Sequence, residues 1–267
     1  MKEGSDRRDR EDRGAGFDAA AIQPSVIREQ GGVVAVAKPP GLGTQAPPGL
    51  PSVESWLRGR LPPGAYVGVP HRLDRAVSGV VLLAVTPRAA RTLSRQFERR
   101  QVRKTYLAIV SVAAGGPPTA EAGTVTEWRD WLAKVVDEPR ARIAAEADEE
   151  AREAVTMVRV AGTLSDATWL LELEPCTGRM HQLRVQAASR GLPIVGDALY
   201  GSRLPFGGVP DAAEPRLRPI ALHAWRIEYQ DPGSHQRVHV EAPLPSWWPA
   251  EARLAGGAAG GPLGHEG

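Results

Sequence analysis

Short apolar runs that end at glycine or proline dominate the first third of the chain. Residues 32–37 form a β-branched run that breaks at the sequence KPPG (38–41), which predicts a strand followed by a rigid turn. Residues 79–85 form a continuous apolar run and predict a second strand. Between the two strands, residues 53–61 are predicted to form a short helix.

A helix with two different faces is predicted after the second strand. Thr86 suits the N-cap and Pro87 the first helical position, so the helix should run from there to about residue 100. Apolar side chains recur on one face and arginines on a roughly opposite face. The two sets are Ala90, Leu93 and Phe97, and Arg91, Arg95 and Arg99. The apolar face should pack, while the basic face is either free to meet phosphates or simply solvated.

Strands are predicted to dominate the rest of the chain. They fall at about 106–112, 154–160, 168–174, 181–187, 223–229 and 237–242. Few helices separate the later strands, and no regular alternation of strand and helix occurs, so the order favours an α+β fold with a largely antiparallel sheet. The acidic stretch 137–153 breaks the pattern and is predicted to be a surface loop or hairpin insertion.

The two ends of the chain differ from the region between them. Residues 1–22 are charged and nearly devoid of large apolar side chains, so we expect a disordered tail. Residues 251–267 are rich in glycine and alanine and are expected to form a flexible tail. The folded body is therefore predicted to be one domain at 24–250.

Composition excludes several classes of protein. No uncharged apolar stretch reaches the about 18 residues of a transmembrane helix, and the N-terminus has no signal-peptide region, so we expect a cytoplasmic protein. The single cysteine, Cys176, excludes an intrachain disulfide. A single cysteine also excludes a cysteine-rich metal site, so we predict no structural or catalytic metal.

Charge is unevenly distributed although the formal net charge is only +2. Residues 71–110 contain nine basic and two acidic side chains, a local excess of +7. Residues 121–153 contain ten acidic and five basic side chains, a local excess of −5. The basic block is what a polyanionic substrate would require.

The run His71-Arg72-Leu73-Asp74, followed by Ser78-Gly79, carries the most informative chemical signal. A carboxylate among basic residues at a turn is either a structural ion pair or a nucleophile. These residues alone do not distinguish the two interpretations. Asp74 could be catalytic, or it could only neutralise neighbouring arginines and accept hydrogen bonds from turn amides.

Two further runs place Asp74 in a larger set. Residues 177–185 read TGRMHQLRV and continue to Tyr200-Gly201, and residues 104–108 read KTYLA. Together with HRLD, these runs resemble the motifs of the RluA-type RNA pseudouridine synthases over roughly residues 30–248. The resemblance implies a long mixed, largely antiparallel sheet with flanking helices and a central catalytic cleft. It also implies that the protein isomerises uridines in ribosomal or transfer RNA. Many members of the family carry a separate RNA-binding domain before the catalytic domain, but residues 1–22 are too few and too polar to form one, so we expect a lone catalytic domain.

The resemblance assigns roles residue by residue. Asp74 matches the nucleophile, and Arg184 matches the cation that such a carboxylate needs, because burial alone would raise the pKa of the carboxyl. Tyr106 matches an aromatic residue that can stack on the flipped base or help to remove a proton. The residues assigned to substrate binding are Arg72, Arg75, Lys104, Arg179 and His181.

Simpler interpretations of these residues remain open. Tyr106 taken alone suits core packing, and Arg184 could be an ordinary strand arginine. His71 and His181 could be general bases or satisfied core histidines.

The chain departs from the family pattern at three flanking positions. Val77 stands where threonine is usual, Met180 replaces a small polar residue, and Gln186 replaces a histidine. These changes bear on substrate detail and rate more than on reaction type.

Three functions are compatible with the sequence. An RNA-uridine isomerase acting as a monomer needs no metal or cofactor, because its reaction is a rearrangement. A catalytically silent RNA-binding or ribosome-assembly protein is the alternative, although Asp74 is intact. A glycosidase would commonly need a second carboxylate, and the motifs offer only Asp197, which looks structural.

Overall fold

The structure is a computed structural model that describes residues 23–112, 123–207, 218–258 and 263. The predicted N-terminal tail at 1–22 lies outside the described residues. Ten strands of the described part form a single sheet. They are β1 (Ser25–Gln30), β2 (Val33–Lys38), β3 (Ser78–Ala84), β4 (Arg103–Ser111), β5 (Val125–Lys134), β6 (Ala141–Ala144), β7 (Arg152–Ser165), β8 (Thr168–Pro175), β9 (Leu222–Gln230) and β10 (Arg237–Glu241). The helices are α1 (Val53–Arg58), α2 (Pro87–Glu98), α3 (Gln182–Ser189) and α4 (Ala250–Ala258), with a 3₁₀ turn at Ala198–Tyr200.

The sheet is mixed and largely antiparallel. Its strand order is β1-β2-β3-β9-β4-β8-β7-β5-β6, and β10 pairs with β9. Only the β3–β9 pair runs parallel among these pairs. The predicted α+β fold is confirmed. Within the described ranges, no helix is both long enough and apolar enough to span a bilayer.

The parallel pair at the middle of the sheet explains the glycine that follows Ser78. Gly79 lies opposite Ala224 on β9 and has a φ of +119°. A Cβ atom at this position would lie 2.2 Å from the carbonyl oxygen of Ala224, so only glycine permits the close approach of the two strands. The segment that carries Asp74 is thereby brought to the centre of the sheet.

Helix α2 has the two faces that the sequence predicts. Thr86 is its N-cap and accepts a hydrogen bond from the backbone of Ala89, and Pro87 lies in the first turn. Leu93 is fully buried in a core with residues of β2 and β3. The predicted basic positions, Arg91, Arg95 and Arg99, are all exposed.

The strand predicted at 181–187 is wrong, because this segment forms helix α3. All six residues from 182 to 187 are buried, so the helix shows no polar face. A helix buried all round lacks the 3.6-residue period that distinguishes it from a buried strand. Arg184 is therefore a helix residue and not a strand arginine.

Three strands were not predicted from the sequence. β1 lies at the edge of the sheet and is almost entirely exposed, so it carries no apolar period. β5 and β6 pair as an antiparallel hairpin that contains part of the acidic stretch. The hairpin was one of the two predicted alternatives for that stretch.

The chain continues in ordered structure past residue 250, where the sequence predicts a flexible tail. Helix α4 spans Ala250–Ala258, and Ala252 is fully buried in the same core cluster as Trp248. Leu263 is also buried, and its backbone N–H donates to the Glu174 carboxylate at 2.9 Å. Small side chains allow close packing without the large apolar residues on which the prediction relied.

A buried histidine on β9 makes the fold sensitive to acid. The Nε2–H of His223 donates to the carbonyl of Ala242 at 3.0 Å, so in the neutral ring Nδ1 accepts from the Ser78 hydroxyl at 2.8 Å. Burial lowers the pKa of His223 to about 4. Between its ordinary value of 6.5 and about 4, the unfolded chain binds a proton that the folded chain does not, so stability falls as pH falls.

The expected loss from His223 is about 1.4 kcal/mol per pH unit across that window, and about 3 kcal/mol in total. Urea unfolding at pH values from 7 to 4 should show this slope in the wild type and a shallower one in His223→Gln. His235→Asn, at an exposed position, should retain the wild-type slope. Equal slopes in wild type and His223→Gln would contradict the assignment.

Candidate active site

A cleft of about 710 Å³ lies over the centre of the sheet. β4 and β9 contribute Tyr106 and Leu222 to its lining. Seven of the eight predicted site residues line it, namely Arg72, Asp74, Lys104, Tyr106, Arg179, His181 and Arg184. The eighth, Arg75, is exposed and does not belong to the cleft lining; its guanidinium lies near Gly43. Residues far apart in sequence therefore converge here as the motifs predict.

The backbone is fixed on both sides of Asp74. The N–H of Leu73 donates to Thr44 Oγ1 at 3.0 Å, and the same hydroxyl donates back to the Leu73 carbonyl at 3.2 Å. On the other side, the N–H of Gly41 donates to the carbonyl of Arg75 at 2.8 Å. These bonds join the Asp74 segment to the loop that follows β2 and limit the motion of the carboxylate.

Lys38 brings a buried amino group against the same segment. Its Nζ donates to the carbonyls of Leu42 at 2.7 Å, Pro39 at 3.0 Å and Arg75 at 3.2 Å. Burial lowers the pKa of Lys38 to about 7, against the opposing attraction of the Asp74 charge. The sequence identified the KPPG turn but not this contact with the Asp74 segment.

Two nitrogen-bearing side chains lie against the same oxygen of the Asp74 carboxylate. Arg184 Nη1 lies 3.3 Å and His181 Nε2 lies 3.6 Å from Asp74 Oδ2. The Asp74 side chain is 36% exposed, so it is accessible from the cleft. Neither contact uses Oδ1. The carboxylate is therefore oriented through Oδ2 and retains an oxygen that can meet an electrophile.

Arg184 serves two carboxylates at once. It forms a bidentate pair with Asp197, from Nε at 2.6 Å and from Nη2 at 2.8 Å, while Nη1 faces Asp74. Burial opposes the charge on Arg184, but the hydrogen bonds and charge of Asp197, with the charge of Asp74, hold its pKa above the usual range. Asp197 is almost completely buried, and both of its oxygens are engaged, so it is not available as the second carboxylate of a glycosidase.

His181 occupies a strained backbone position at the start of α3. It is the N-cap residue with a φ of +50°, in the left-handed region that non-glycine residues rarely adopt. Its Nδ1 lies 2.9 Å from the hydroxyl of Tyr200. Burial lowers the pKa of His181, with partial compensation from Asp74, so the ring is predominantly neutral at pH 7.

Tyr106 and Lys104 project from β4 into the same cleft. Burial, assisted by the charge of Asp74, raises the pKa of Tyr106, so its phenol is protonated at neutral pH. Burial lowers the pKa of Lys104. Gly178 lies beside Lys104, because a Cβ there would be 3.9 Å from the Lys104 Nζ.

Further cations surround this centre. Arg100 and Lys134 line the cleft with Arg72, although the sequence identified neither as a site residue. Arg100 belongs to the basic block, whose charge could have indicated it as a site residue. Lys134 lies in the acidic region 121–153, so no excess of positive charge indicated it. Arg179 lines the cleft while its Nε donates to the carbonyl of Glu153 at 2.9 Å.

His71 has a structural role in this arrangement. Its Nε2 accepts a hydrogen bond from the N–H of Leu82 at 2.9 Å, and its ring stacks on Phe97. Burial lowers the pKa of His71 to about 3. The lone pair that a general base would use already accepts this hydrogen bond. His71 is therefore a satisfied core histidine and not a general base.

Two of the three departures from the family pattern contribute to packing. Val77 is buried in the core. Gln186 is completely buried, where it donates to Asp130 at 2.7 Å and accepts from the Thr156 hydroxyl at 2.7 Å. Val77 and Met180 both line the cleft, and Met180 directly precedes His181 in the sequence.

The chain is similar to known proteins over most of its length. The family model for RNA pseudouridylate synthases matches residues 32–189. The chain is 37% identical over 234 residues to the ribosomal large subunit pseudouridine synthase D of Xylella fastidiosa, covering 84% of this chain and 67% of that one. It is 35% identical over 205 residues to the tRNA pseudouridine synthase C of Salmonella typhi, covering 69% and 71%. The solved structure of human RNA Pseudouridylate Synthase Domain Containing 1 superimposes with a TM-score of 0.64 at 25% identity, over 87% of both chains. The chain belongs to the RNA pseudouridylate synthase family and is an RNA pseudouridine synthase.

Proposed function

We propose that this protein converts specific uridines in structured ribosomal or transfer RNA to pseudouridine, with Asp74 as the nucleophile. The observation that carries the proposal is the accessible Asp74 carboxylate, held 3.3 Å from the Arg184 guanidinium inside a cleft rich in cations. Relatives named for the ribosomal large subunit and for tRNA match the chain at similar identities, 37% and 35%, so the experiment below includes both classes of RNA.

The chemistry suits this set of side chains. The N1–C1′ bond of uridine breaks, the base turns over, and C5 bonds to C1′ while the proton on C5 is lost and N1 gains one. Asp74 attacks or stabilises the electron-poor centre, and the Arg184 guanidinium orients the carboxylate through the contact at 3.3 Å. Atoms balance without an oxidant or a co-substrate, so we propose that the reaction uses no metal or cofactor.

Binding requires the target base to leave the RNA stack. The Tyr106 ring offers a flat surface for the extruded base, and its protonated phenol can donate a hydrogen bond. Arg72, Arg100 and Lys134 can hold the phosphates on either side of that nucleotide. We propose that residues 24–250 carry this activity as a monomer.

The test is to incubate the purified protein with unmodified ribosomal and transfer RNA transcripts and map new pseudouridines by position. The proposal predicts one or a few modified sites without added metal or cofactor. The alternative, a silent RNA-binding protein, predicts RNA binding without any new site. The class of transcript that is modified identifies the substrate.

The exposed arginines of α2 yield a separate prediction. If this face contacts RNA, the double substitution Arg91→Gln with Arg95→Gln should remove about two phosphate contacts and reduce the slope of log affinity against log salt by about 1.5. Binding is measured by titration at several salt concentrations. The matched control, Arg237→Gln with Arg253→Gln, removes two exposed charges elsewhere and should leave the slope unchanged. Equal slopes for the wild type and the α2 variant would mean that this face is only solvated.

A further inference from the structure

Tyr200 lies behind the cleft and joins three elements of the site. It ends the 3₁₀ turn Ala198–Tyr200, which follows the buried Asp197. Its ring lies 5.0 Å from the guanidinium carbon of Arg184. Its hydroxyl contacts His181, the N-cap of α3, and the backbone of Ala141 on β6. Tyr200 therefore contacts both residues that bracket Asp74, although it does not line the cleft itself.

The hydrogen-bond partners of Tyr200 restrict where the hydroxyl proton can lie. The N–H of Ala141 can only donate, so the Tyr200 oxygen accepts from it at 2.9 Å. The hydroxyl proton then has two possible acceptors, His181 Nδ1 at 2.9 Å and the Ala141 carbonyl at 3.3 Å. The shorter separation favours donation to His181 Nδ1.

Donation to Nδ1 determines which nitrogen of His181 carries the proton. A neutral imidazole has one protonated nitrogen, so an Nδ1 that accepts requires the hydrogen on Nε2. Nε2 is the nitrogen that lies 3.6 Å from Asp74 Oδ2. The opposite tautomer would direct the Nε2 lone pair at the carboxylate, which is repulsive.

We infer that Tyr200 is a positioning residue that fixes His181 as the Nε2–H tautomer, so that His181 and Arg184 both direct N–H groups to the same oxygen of Asp74. This inference rests on the proposed function and assigns a role to a residue outside the reacting groups. The orienting tyrosine and the Arg184 guanidinium stack together, so one side chain supports both contacts.

The same hydroxyl connects the site to the β5–β6 hairpin. Ala141 pairs with Lys134 in the hairpin register, and Lys134 lines the cleft. A cleft residue that can meet RNA is thus one backbone pair away from the group that orients His181.

The test is the tautomer of His181, measured on the whole protein without RNA. Long-range ¹H–¹⁵N correlation spectra distinguish a protonated from an unprotonated ring nitrogen. The His181 signals are assigned by their loss in His181→Asn, a residue that tolerates the left-handed backbone. In the wild type we expect a protonated Nε2 and a hydrogen-bonded, unprotonated Nδ1. In Tyr200→Phe the Nδ1 signal should lose this hydrogen bond, and the second tautomer should appear.

A kinetic measurement accompanies the spectra. Tyr200→Phe should slow the chemical step by about tenfold, as expected for the loss of one hydrogen bond, while RNA affinity stays at the wild-type value. Tyr66→Phe, at an exposed tyrosine outside the cleft lining, is the matched control and should change neither rate nor spectrum. Unchanged signals of the other histidines in Tyr200→Phe would show that the fold is intact.

Three results would overturn the inference. These are a wild-type His181 protonated on Nδ1, a His181 spectrum in Tyr200→Phe identical to the wild type, or an unchanged rate in that variant. The proposed function fails in a different way, because wild-type protein would then form no pseudouridine at all. The spectra still decide the role of Tyr200 in that case, since they need no substrate.

Discussion

Asp74→Asn is expected to abolish pseudouridine formation, with a fall in single-turnover rate of about four orders of magnitude or more. An amide has nearly the shape of the carboxylate but is not a nucleophile. The cleft and its cations remain, so RNA affinity should stay within a few-fold of the wild type. The rate is measured as tritium release from RNA that contains [5-³H]uridine, because C5 loses its hydrogen when it bonds to the sugar.

The matched control is Asp166→Asn, an identical change at an exposed turn, which should leave the rate unaltered. If Asp74→Asn retained substantial turnover, Asp74 would return to the role of a structural ion pair. If it lost RNA binding in parallel with rate, Asp74 would be a binding residue.

Arg184→Met is expected to have the second-largest effect, because it acts on both catalysis and stability. The substitution removes the cation beside Asp74 and leaves the Asp197 carboxylate buried without its bidentate partner. Breaking a buried ion pair by removing one partner typically costs about 3–5 kcal/mol of folding free energy. The free energy of unfolding in urea and the rate of tritium release, measured on the same preparation, should therefore both decrease.

A double variant separates the two roles of Arg184. Asp197→Asn added to Arg184→Met removes the stranded buried charge, so part of the lost stability should return. Activity should stay lost, because Asp74 still lacks its cation. Recovery of activity together with stability would show that Arg184 acts only through the fold.

The sequence predicted the parts of the fold that depend on local signals. Thr86 and Pro87 mark the start of α2 through capping chemistry, and the structure begins the helix there. Helix α3 was predicted as a strand because its residues are buried on every side, and burial by tertiary neighbours leaves no period to detect. The order of strands in the sheet depends on long-range pairing such as β3 with β9, which no local pattern contains.

Some contacts of the candidate site could be predicted from the sequence motifs, and others could not. The motifs predicted that Asp74 and Arg184 would meet, and the structure places them 3.3 Å apart across 110 positions of sequence. The sharing of Arg184 between Asp74 and Asp197 could not be predicted, because Asp197 carries no local sign of its partner. His71 was ambiguous until the structure showed that Leu82 occupies its Nε2.

The role of Asp74 in RNA isomerisation is tested most directly by position-resolved pseudouridine mapping of total RNA from cells with and without this gene. The deleted cells are complemented with the wild type or with Asp74→Asn. The account predicts that one or a few pseudouridines disappear on deletion, return with the wild type and stay absent with Asp74→Asn. Sites that persist after deletion, or that return with Asp74→Asn, would contradict it.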